Sequence, residues 1–510
     1  MSLTFESYIK SLETEPTTAT LFNDYSGMIY KLSKKYLYKY NTTTKLWEEI
    51  NDGNIIYDIS NWLLEKQKFY SDEINTKMIN EKDFKQREQL CNTLISMTKN
   101  TKQITKYKYL ENVFKYLKIN INDDKFIEEI NHRYTYLLPI KNGLVVDLRT
   151  KITSERNQEH YFSYECPVEI TKEKTTYFSD FIKSIMLDNK EHISYLQKIL
   201  GYCLSGNIDA RCFFIWHGKG KNGKSMLLLL MKAILENQYK QVMKQVFIAG
   251  KNSSNGVEAL EIKDCRMAIL TETNDKEALN ESFIKNLTGG DPMTARGLYK
   301  DPITFQPQSK IIICTNNKPN FNANDEANVD RLKFLPFKAR FVNNPKPNSN
   351  ERQVILGIDK ILIKDNLNEF FTWCLNGAVE YFKDPNFTPP TDIKMEEDEY
   401  VIEQASVKYW FTEKIEEAPK EEIKRSEAYK NYENFCINEG INKENKKKFF
   451  EIVETFMDKP KKCNGEMVYK NFKIKDIDDE NTIPSNYKKQ TDESFDDDIN
   501  EGYTNPLDII

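Results

Sequence analysis

Apolar and polar positions alternate first over residues 21–50, LFNDYSGMIYKLSKKYLYKYNTTTKLWEEI, where aromatic and polar residues flank an NTTT turn. That pattern predicts a strand, a turn and a strand. Residues 54–135 change to long charged stretches poor in glycine, which read as helices. LLPIKNGLVVDLRT at 137–150 predicts two short strands about Lys141-Asn142-Gly143, and HYFSYECPVEI at 160–170 predicts another. From Tyr177 the period becomes helical through FSDFIKSIMLDNKEHISYLQKILGYCLSG, and CFFIWHGKG then reads as a short apolar strand entering a glycine-rich turn. Strands and helices alternate on to about 345, which predicts an α/β domain with a parallel sheet. NNPKPNSNERQ (343–353) reads as a loop, 355–383 as helical and PNFTPPTD (385–392) as a linker. The expected divisions are 1–176, mainly helical and mixed; 177–345, the α/β core; 346–392, a helical extension and linker; 393–475, a small domain; and 476–510, an acidic tail too polar to fold. There is no internal repeat.

Composition narrows the class. The chain is 510 residues long, 39% hydrophobic and 30% charged, enough apolar material for several cores. A net charge of -5 means that any nucleic-acid contact depends on local rather than overall charge. Nine cysteines without a CxxC pair, and only four histidines, argue against a disulfide framework or a zinc module. A reducing intracellular compartment fits. The N-terminus MSLTFESYIKSLETEP lacks the basic head and apolar run of a signal peptide. MLLLLMKAIL is shorter than the roughly 18 residues of a membrane span and reads as a buried helix.

The chemistry concentrates in WHGKGKNGKSMLLLL. Gly218, Lys219, Gly220, Lys221, Asn222, Gly223, Lys224 and Ser225 fit the phosphate-loop pattern G-x-x-x-x-G-K-[ST], with an apolar strand before and a helix after. Glycines let backbone N–H groups turn toward phosphate oxygens, and the helix adds its positive end. Lys224 is placed to reach the β- and γ-phosphates of ATP, and Ser225 to ligate Mg²⁺. RMAILTETND (266–275) predicts a strand ending at Glu272, a second Mg²⁺ contact that also polarises the attacking water. Its neighbour is Thr271 instead of the usual second acid, and a solvated acid past a strand is the plainer alternative. KIIICTNNKPN (310–320) predicts a strand whose tip offers Asn316 to orient water or sense the γ-phosphate. Between them, MTARGLY and ITFQP flank Lys300-Asp301-Pro302, a hairpin carrying Tyr299 and Lys300 at its tip. NVDRLKFLPF (328–337) sets Arg331 before another strand, positioned as an arginine finger or as a surface ion-pair partner.

The order GKGKNGKS, AILTETND, IKNLTGGDPMTARGLYKDP, IIICTNNKP, DRLKFLPF resembles superfamily 3 helicases, and more narrowly the primase–helicase ATPases of poxviruses and other large DNA viruses with their phage and plasmid relatives. The likeness is strongest over 177–345 and weaker in YLYKYNTTTKLWEEI and PIKNGLVVDLRT. It implies an AAA+-like P-loop core with a parallel sheet, and a homohexameric ring that hydrolyses ATP between subunits. In such a ring Lys224, Ser225, Glu272 and Asn316 act in one subunit and Arg331 acts on its neighbour, with Lys285 a weaker candidate for the same reach. The hairpin lines a pore, where Lys300 grips the phosphates of single-stranded DNA, and movement runs 3′ to 5′. The implied role is viral or mobile-element DNA replication in the host cytoplasm, with no membrane association. Nothing before residue 177 offers a primase metal site, and the acids of INDDKF (121–126) read as a solvated face, so a separate primase polypeptide is the expected partner. The C-terminal region resembles the small winged-helix domain of these proteins, and Lys446, Lys447 and Lys448 form a basic cluster that either touches duplex DNA or simply opens a solvated helix. The acidic tail is suited to docking a partner or screening the pore. Two other classes compete: a ring P-loop ATPase that packages DNA or remodels protein, and a small-molecule P-loop kinase. The hairpin lysine and TGGDP favour the helicase.

Overall fold

The computed structural model describes residues 3–475 apart from 250–259, 261, 272–276, 297–301, 324, 442 and 464. Two compact units result, one reaching Ala405 and the other starting at Ser406.

The first unit begins with helices Phe5–Ser11, Glu15–Tyr25, Asp52–Asn80, Phe84–Ile104 and Tyr107–Asn120, and a meander β1 (Tyr30–Ser33), β2 (Tyr36–Asn41) and β3 (Leu46–Ile50). The aromatic alternation therefore yields three strands where two were expected, and residues 21–25 finish a helix whose Leu21 and Phe22 face the core. Tyr8, Phe22, Ile59, Trp62, Val113 and Leu117 fill that core. INDDKF does not lie on a solvated helix. It forms the turn before helix Phe126–Glu129, where Asp123 pairs with Lys31 at 2.9 Å.

A second meander follows: β4 (Leu137–Ile140), β5 (Leu144–Asp147) and β6 (Thr153–Glu155). The strand expected over 160–170 does not form. Tyr161 turns the chain at φ 54°, and Cys166 makes only an isolated bridge to Ile140. Phe162, Tyr164, Cys166 and Val168 are buried, so their alternation serves packing without a partner strand. They share one core with Leu138, Val146, Phe178, Leu196 and Trp216, so the apolar interior runs across the expected division at 176/177.

The central sheet has five parallel strands in the order β13-β7-β12-β9-β8: β7 (Phe213–His217), β8 (Tyr239–Gln241), β9 (Met267–Thr271), β12 (Lys310–Thr315) and β13 (Leu332–Pro336). Successive residues enter different cores. Phe214, Trp216, Ile312 and Cys314 join the core with helices Thr176–Ile185, Lys190–Leu204, Lys224–Leu235 and Leu367–Lys383. Phe213, Ile215, Ile311 and Ile313 join the core with helix Glu281–Gly289. Burial on both faces is why these strands read as continuous apolar runs. Helices Lys190–Leu204 and Leu367–Lys383 meet backbone to backbone: a Cβ on Gly201 would stand 2.0 Å from the Ala378 nitrogen, and one on Gly377 1.9 Å from the Gln197 oxygen. Between β9 and β12 lies the antiparallel pair β10 (Met293–Ala295) and β11 (Ile303–Phe305). Beyond β13, β14 (Arg340–Val342) pairs in parallel with β15 (Glu351–Gln353), so the expected loop at 343–353 ends in a strand.

The linker read at 385–392 is not where the unit ends. Phe387 is buried against Tyr381, and helix Thr391–Gln404 belongs to the first unit. Buried Glu397 accepts the Phe334 amide at 2.9 Å, satisfying an edge donor of β13, and Tyr400 donates to the Pro319 carbonyl.

The second unit runs helix Ser406–Lys414, β16 (Ile415–Lys424), helices Arg425–Glu439 and Lys446–Phe456, β17 (Lys461–Cys463), β18 (Glu466–Ile474), with sheet order β16-β18-β17. Trp410, Tyr432, Phe449, Val453 and Tyr469 form its core. The tail from 476 lies outside the described residues. No described helix is long and apolar enough to cross a membrane.

Candidate nucleotide site

The loop between β7 and helix Lys224–Leu235 is shaped by contacts that exclude side chains. A Cβ on Gly218 would meet the Phe337 oxygen at 2.4 Å and Asn222 Nδ2 at 2.5 Å. Gly223 has φ +89°, and its Cβ would meet Ile185 Cγ1 at 2.8 Å. Lys221 also takes a left-handed conformation, φ 59°, uncommon for a residue with a side chain. The loop is anchored on both sides: the Gly218 amide donates to Thr315 O at 3.2 Å, and Lys221 O accepts the Phe341 amide at 2.7 Å. Asn222 ties the loop internally, its Nδ2 donating to Lys219 O at 3.2 Å and its Oδ1 accepting the Lys224 amide at 3.4 Å.

Lys224 opens the helix and is only 7% exposed. Its Nζ donates to Gly218 O, and to Thr315 O and Asn316 Oδ1 at 3.4 Å each. Burial lowers its pKa from the ordinary lysine value. Burial, then Lys318 and Lys224, pushes His217 down to about 4, so the imidazole beside the loop is neutral at pH 7. Lys219, Gly220, Lys221 and Ser225 are exposed. A buried ammonium, an amide-lined turn and a helix start with no acid in its first turn together suit an anion. The cradle leaves no room for a Cβ at Gly218 or Gly223, and Ser225 is open beside it. Those residues fit the phosphates of ATP with its Mg²⁺.

Strand register gathers the other residues. Thr315 lies opposite His217 and Cys314 opposite Thr271, so the loop, Asn316 and the end of β9 share one edge of the sheet. Glu272, one position beyond Thr271, lies outside the described residues, as do Asp275, Tyr299 and Lys300. The β10–β11 pair beneath the expected hairpin tip is present, with Ala295 and Phe305 in the core.

Arg331 is elsewhere. It precedes Leu332, which pairs with Phe213 at the start of β7, the opposite end of the sheet from the loop. Its Nη1 donates to Ala327 O at 2.6 Å. Lys285 makes an ion pair with Asp325, whose carboxyl is held below the usual range first by Lys285 and also by Arg331. The structure thus brings Arg331 and Lys285 together around Asp325, away from the loop of their own chain.

Sequence reading missed a cavity of about 500 Å³ beside the loop. Phe181, Met226, Phe341, Val342, Val354 and Ile355 wall it, and Lys221 and Gly223 border it. Its chemistry suits a flat, largely apolar ring system. The available signal was the apolar pair Phe341-Val342 followed by Val354-Ile355 across a polar loop. Lys310 and Arg266 were also missed: both are buried, Lys310 donating to the carbonyls of Ser205 and Gln308, Arg266 to those of Leu204 and Leu137.

The chain is similar to several known proteins. Residues 19–187 match the family described as "D5 N terminal like", and 216–331 match a family of unknown function, DUF5906. A putative helicase of Acanthamoeba polyphaga mimivirus is 28% identical over 337 residues, 64% of this chain and 35% of that protein. The primase D5 of fowlpox virus is 26% identical over 241 residues, 43% of this chain and 29% of that protein. The chain thus spans about a third of the length of these curated relatives. Among solved structures, the C-terminal region of NrS-1 aligns over 90% of this chain and 99% of that chain at 10% identity, with a TM-score of 0.47. The chain is thus similar, over its first part and its central sheet, to the primases and putative helicases of poxviruses and other large DNA viruses.

Proposed function

We propose that the protein is an ATP-dependent DNA helicase of viral or mobile-element replication, built as a ring with nucleotide between subunits. The observation that carries this reading is the division of the sheet: a phosphate cradle with buried Lys224 and adjacent Asn316 at one end, Arg331 and Lys285 at the other. One molecule holds the two halves of a hydrolytic site where they cannot meet, and a head-to-tail ring joins them. Numbered along the chain, the sheet runs 5-1-4-3-2, with the loop after its first strand, which supports an AAA+-like core. The loop amides and Lys224 bind the phosphates, and the cavity beside Phe341 takes the base. Ser225 and Glu272 hold Mg²⁺, which neutralises charge on the transferred phosphoryl group. Glu272 orients the water, Asn316 senses the γ-phosphate, and Arg331 of the neighbouring subunit stabilises the leaving charge. Tyr299 and Lys300 on the pore hairpin grip single-stranded DNA by its phosphates. The names of the relatives support a replicative setting with a primase activity in the same system.

The test is ATPase rate with and without single-stranded DNA, on protein whose mass is measured in the same buffer, for wild type and Lys224→Ala. A hexamer stimulated by DNA and silenced by the substitution is expected. An active monomer, an unstimulated ATPase or an active Lys224→Ala variant overturns the reading.

A further inference from the structure

We propose that the corner between helices Phe84–Ile104 and Tyr107–Asn120 binds single-stranded DNA, with lysines on its phosphates and tyrosine rings against its bases. The inference rests on the reading that the protein works on DNA, and it needs neither the nucleotide site nor the pore hairpin.

Charge collects here against the balance of the chain, whose net charge is -5. Residues 97–120 hold six lysines and one acid, Glu111, whereas the earlier helix Asp52–Asn80 holds three lysines and five acids. Two of the six lysines have partners. Lys118 pairs with Asp52 at 3.1 Å and lies over the Phe114 ring, and Lys115 reaches Glu111 at 3.9 Å. Lys99, Lys102, Lys106 and Lys108 are exposed, and none makes an ion pair or a side-chain hydrogen bond with a described residue. Glu15, on the helix packed against this corner, acts on buried Tyr109 and pairs with none of the four.

Packing turns these side chains outward. Buried Met97 and Ile104, two turns apart, mark the inward face of the first helix, and Lys99 and Lys102 fall on the opposite side. On the second helix Tyr109, Leu110, Val113, Phe114 and Leu117 face the core, which directs Lys108 away from it. The turn between the helices is closed by backbone bonds, from the Thr105 amide to Thr101 O at 3.3 Å and from the Lys106 amide to Gln103 O at 3.0 Å. Lys102 suits the last turn of its helix, but Lys106 and Lys108 open the next, where the helix dipole disfavours cations. Local structure gives no reason for those two, and a polyanion at this corner does.

The rings select the kind of polyanion. Tyr107 is 68% exposed and Tyr116 45%, and neither stacks on another ring among the described residues. Single strands are held by a positive surface that tracks the backbone and by aromatic rings that stack on unpaired bases. A duplex hides its base faces. A protein partner fits less well, because interface cores are depleted in lysine, and a second copy of this chain would bring the same positive charge to the same face.

The experiment uses the full chain and a fluorescent 30-nucleotide dT strand, with anisotropy read between 50 and 200 mM NaCl. One variant carries Lys99→Ala, Lys102→Ala, Lys106→Ala and Lys108→Ala together, all at exposed positions, and a matching Lys→Arg set is its conservative control. Loss of four phosphate contacts makes the log–log salt slope shallower by about 3 and weakens affinity at 50 mM on the order of 100-fold, while the arginine set binds like wild type. A second variant, Tyr107→Ala with Tyr116→Ala, weakens binding roughly 5-fold or more per ring and keeps the wild-type slope. Thermal melting checks that each variant is folded. ATPase of the wild type with and without the strand is read in parallel. Stimulation by the strand, with wild-type affinity and slope in the lysine-to-alanine variant, overturns the corner and leaves the helicase reading standing. No stimulation, with the expected loss of affinity and slope, upholds the corner and overturns the helicase reading. A wild type that ignores the strand, or that holds a 30-bp duplex as tightly with the tyrosine variant unaffected, also overturns the proposal.

Discussion

Arg331 offers the sharpest test of a shared site. β7 and β13 run in register from Phe213–Leu332 to His217–Pro336, so four strand steps, about 13 Å, separate the start of β13 from the loop end of the sheet. In the proposed ring, an arginine at that start serves a neighbour. Replacing it by alanine removes one hydrogen bond to Ala327 O, about 1 kcal/mol of stability, and leaves the fold intact. Loss of a finger lowers kcat by about 10³–10⁵, equivalent to roughly 4–7 kcal/mol at the transition state. Homogeneous Arg331→Ala and homogeneous Lys224→Ala rings are both expected to be inactive. In a ring assembled at random from equal amounts of the two, a site works where the loop comes from the Arg331→Ala chain and the finger from the Lys224→Ala chain. That holds for about a quarter of interfaces in a head-to-tail ring. Steady-state phosphate release after co-refolding, against each parent alone, reads this directly. A mixture no faster than its parents refutes the trans assignment, and a homogeneous Arg331→Ala ring that retains its rate refutes the finger.

Two further outcomes follow from the site and its supports. Phe341→Ala keeps the backbone amide that holds Lys221 but removes an aromatic wall of the cavity, so KM for ATP rises roughly 5–10-fold, about 1–1.4 kcal/mol of lost apolar contact, with kcat nearly unchanged; an unaltered KM separates the cavity from the nucleotide. Burial pushes Lys310 down to about 7 in the folded protein, against about 10.4 unfolded, so the unfolded chain binds the extra proton between these values and stability rises with pH there, by up to about 1.4 kcal/mol per unit. Urea unfolding at pH 7.5 and 8.5 should show that rise in wild type relative to Lys310→Met. Buried Cys203, Cys212 and Cys314, raised to about 12 by burial, contribute equally to both proteins, so equal slopes would refute a depressed Lys310.

The elements legible in the sequence were those whose pattern had one physical cause. β7, β9, β12 and β13 read as apolar runs because both of their faces are buried, and the turn after β7 was legible as a glycine turn because Gly218 and Gly223 pack against Phe337 and Ile185. Asn316 was singled out by its place at a strand tip, and there its Oδ1 accepts from Lys224 Nζ at 3.4 Å. Patterns with two possible causes misled. Alternation at 160–170 reflects burial of Phe162, Tyr164 and Cys166 in a core, which sequence cannot distinguish from pairing. PNFTPPTD carries the composition of a linker, but Phe387 is drawn into the core by Tyr381, Tyr202 and Phe214. The cavity was hidden because its walls come from segments around 181, 226, 341 and 354, which only the fold brings together.

The crossing at Gly201 and Gly377 has a mechanical meaning. Packed helices slide past one another by exchanging side-chain rotamers, and shear motions in proteins rely on that freedom. Here backbone lies directly on backbone, so there is no rotamer layer to exchange. Helices Lys190–Leu204 and Leu367–Lys383 therefore move as one beam. Any movement of β7 relative to that beam falls on the short connection from Ser205 to Cys212, where Arg211 already turns at φ 48°.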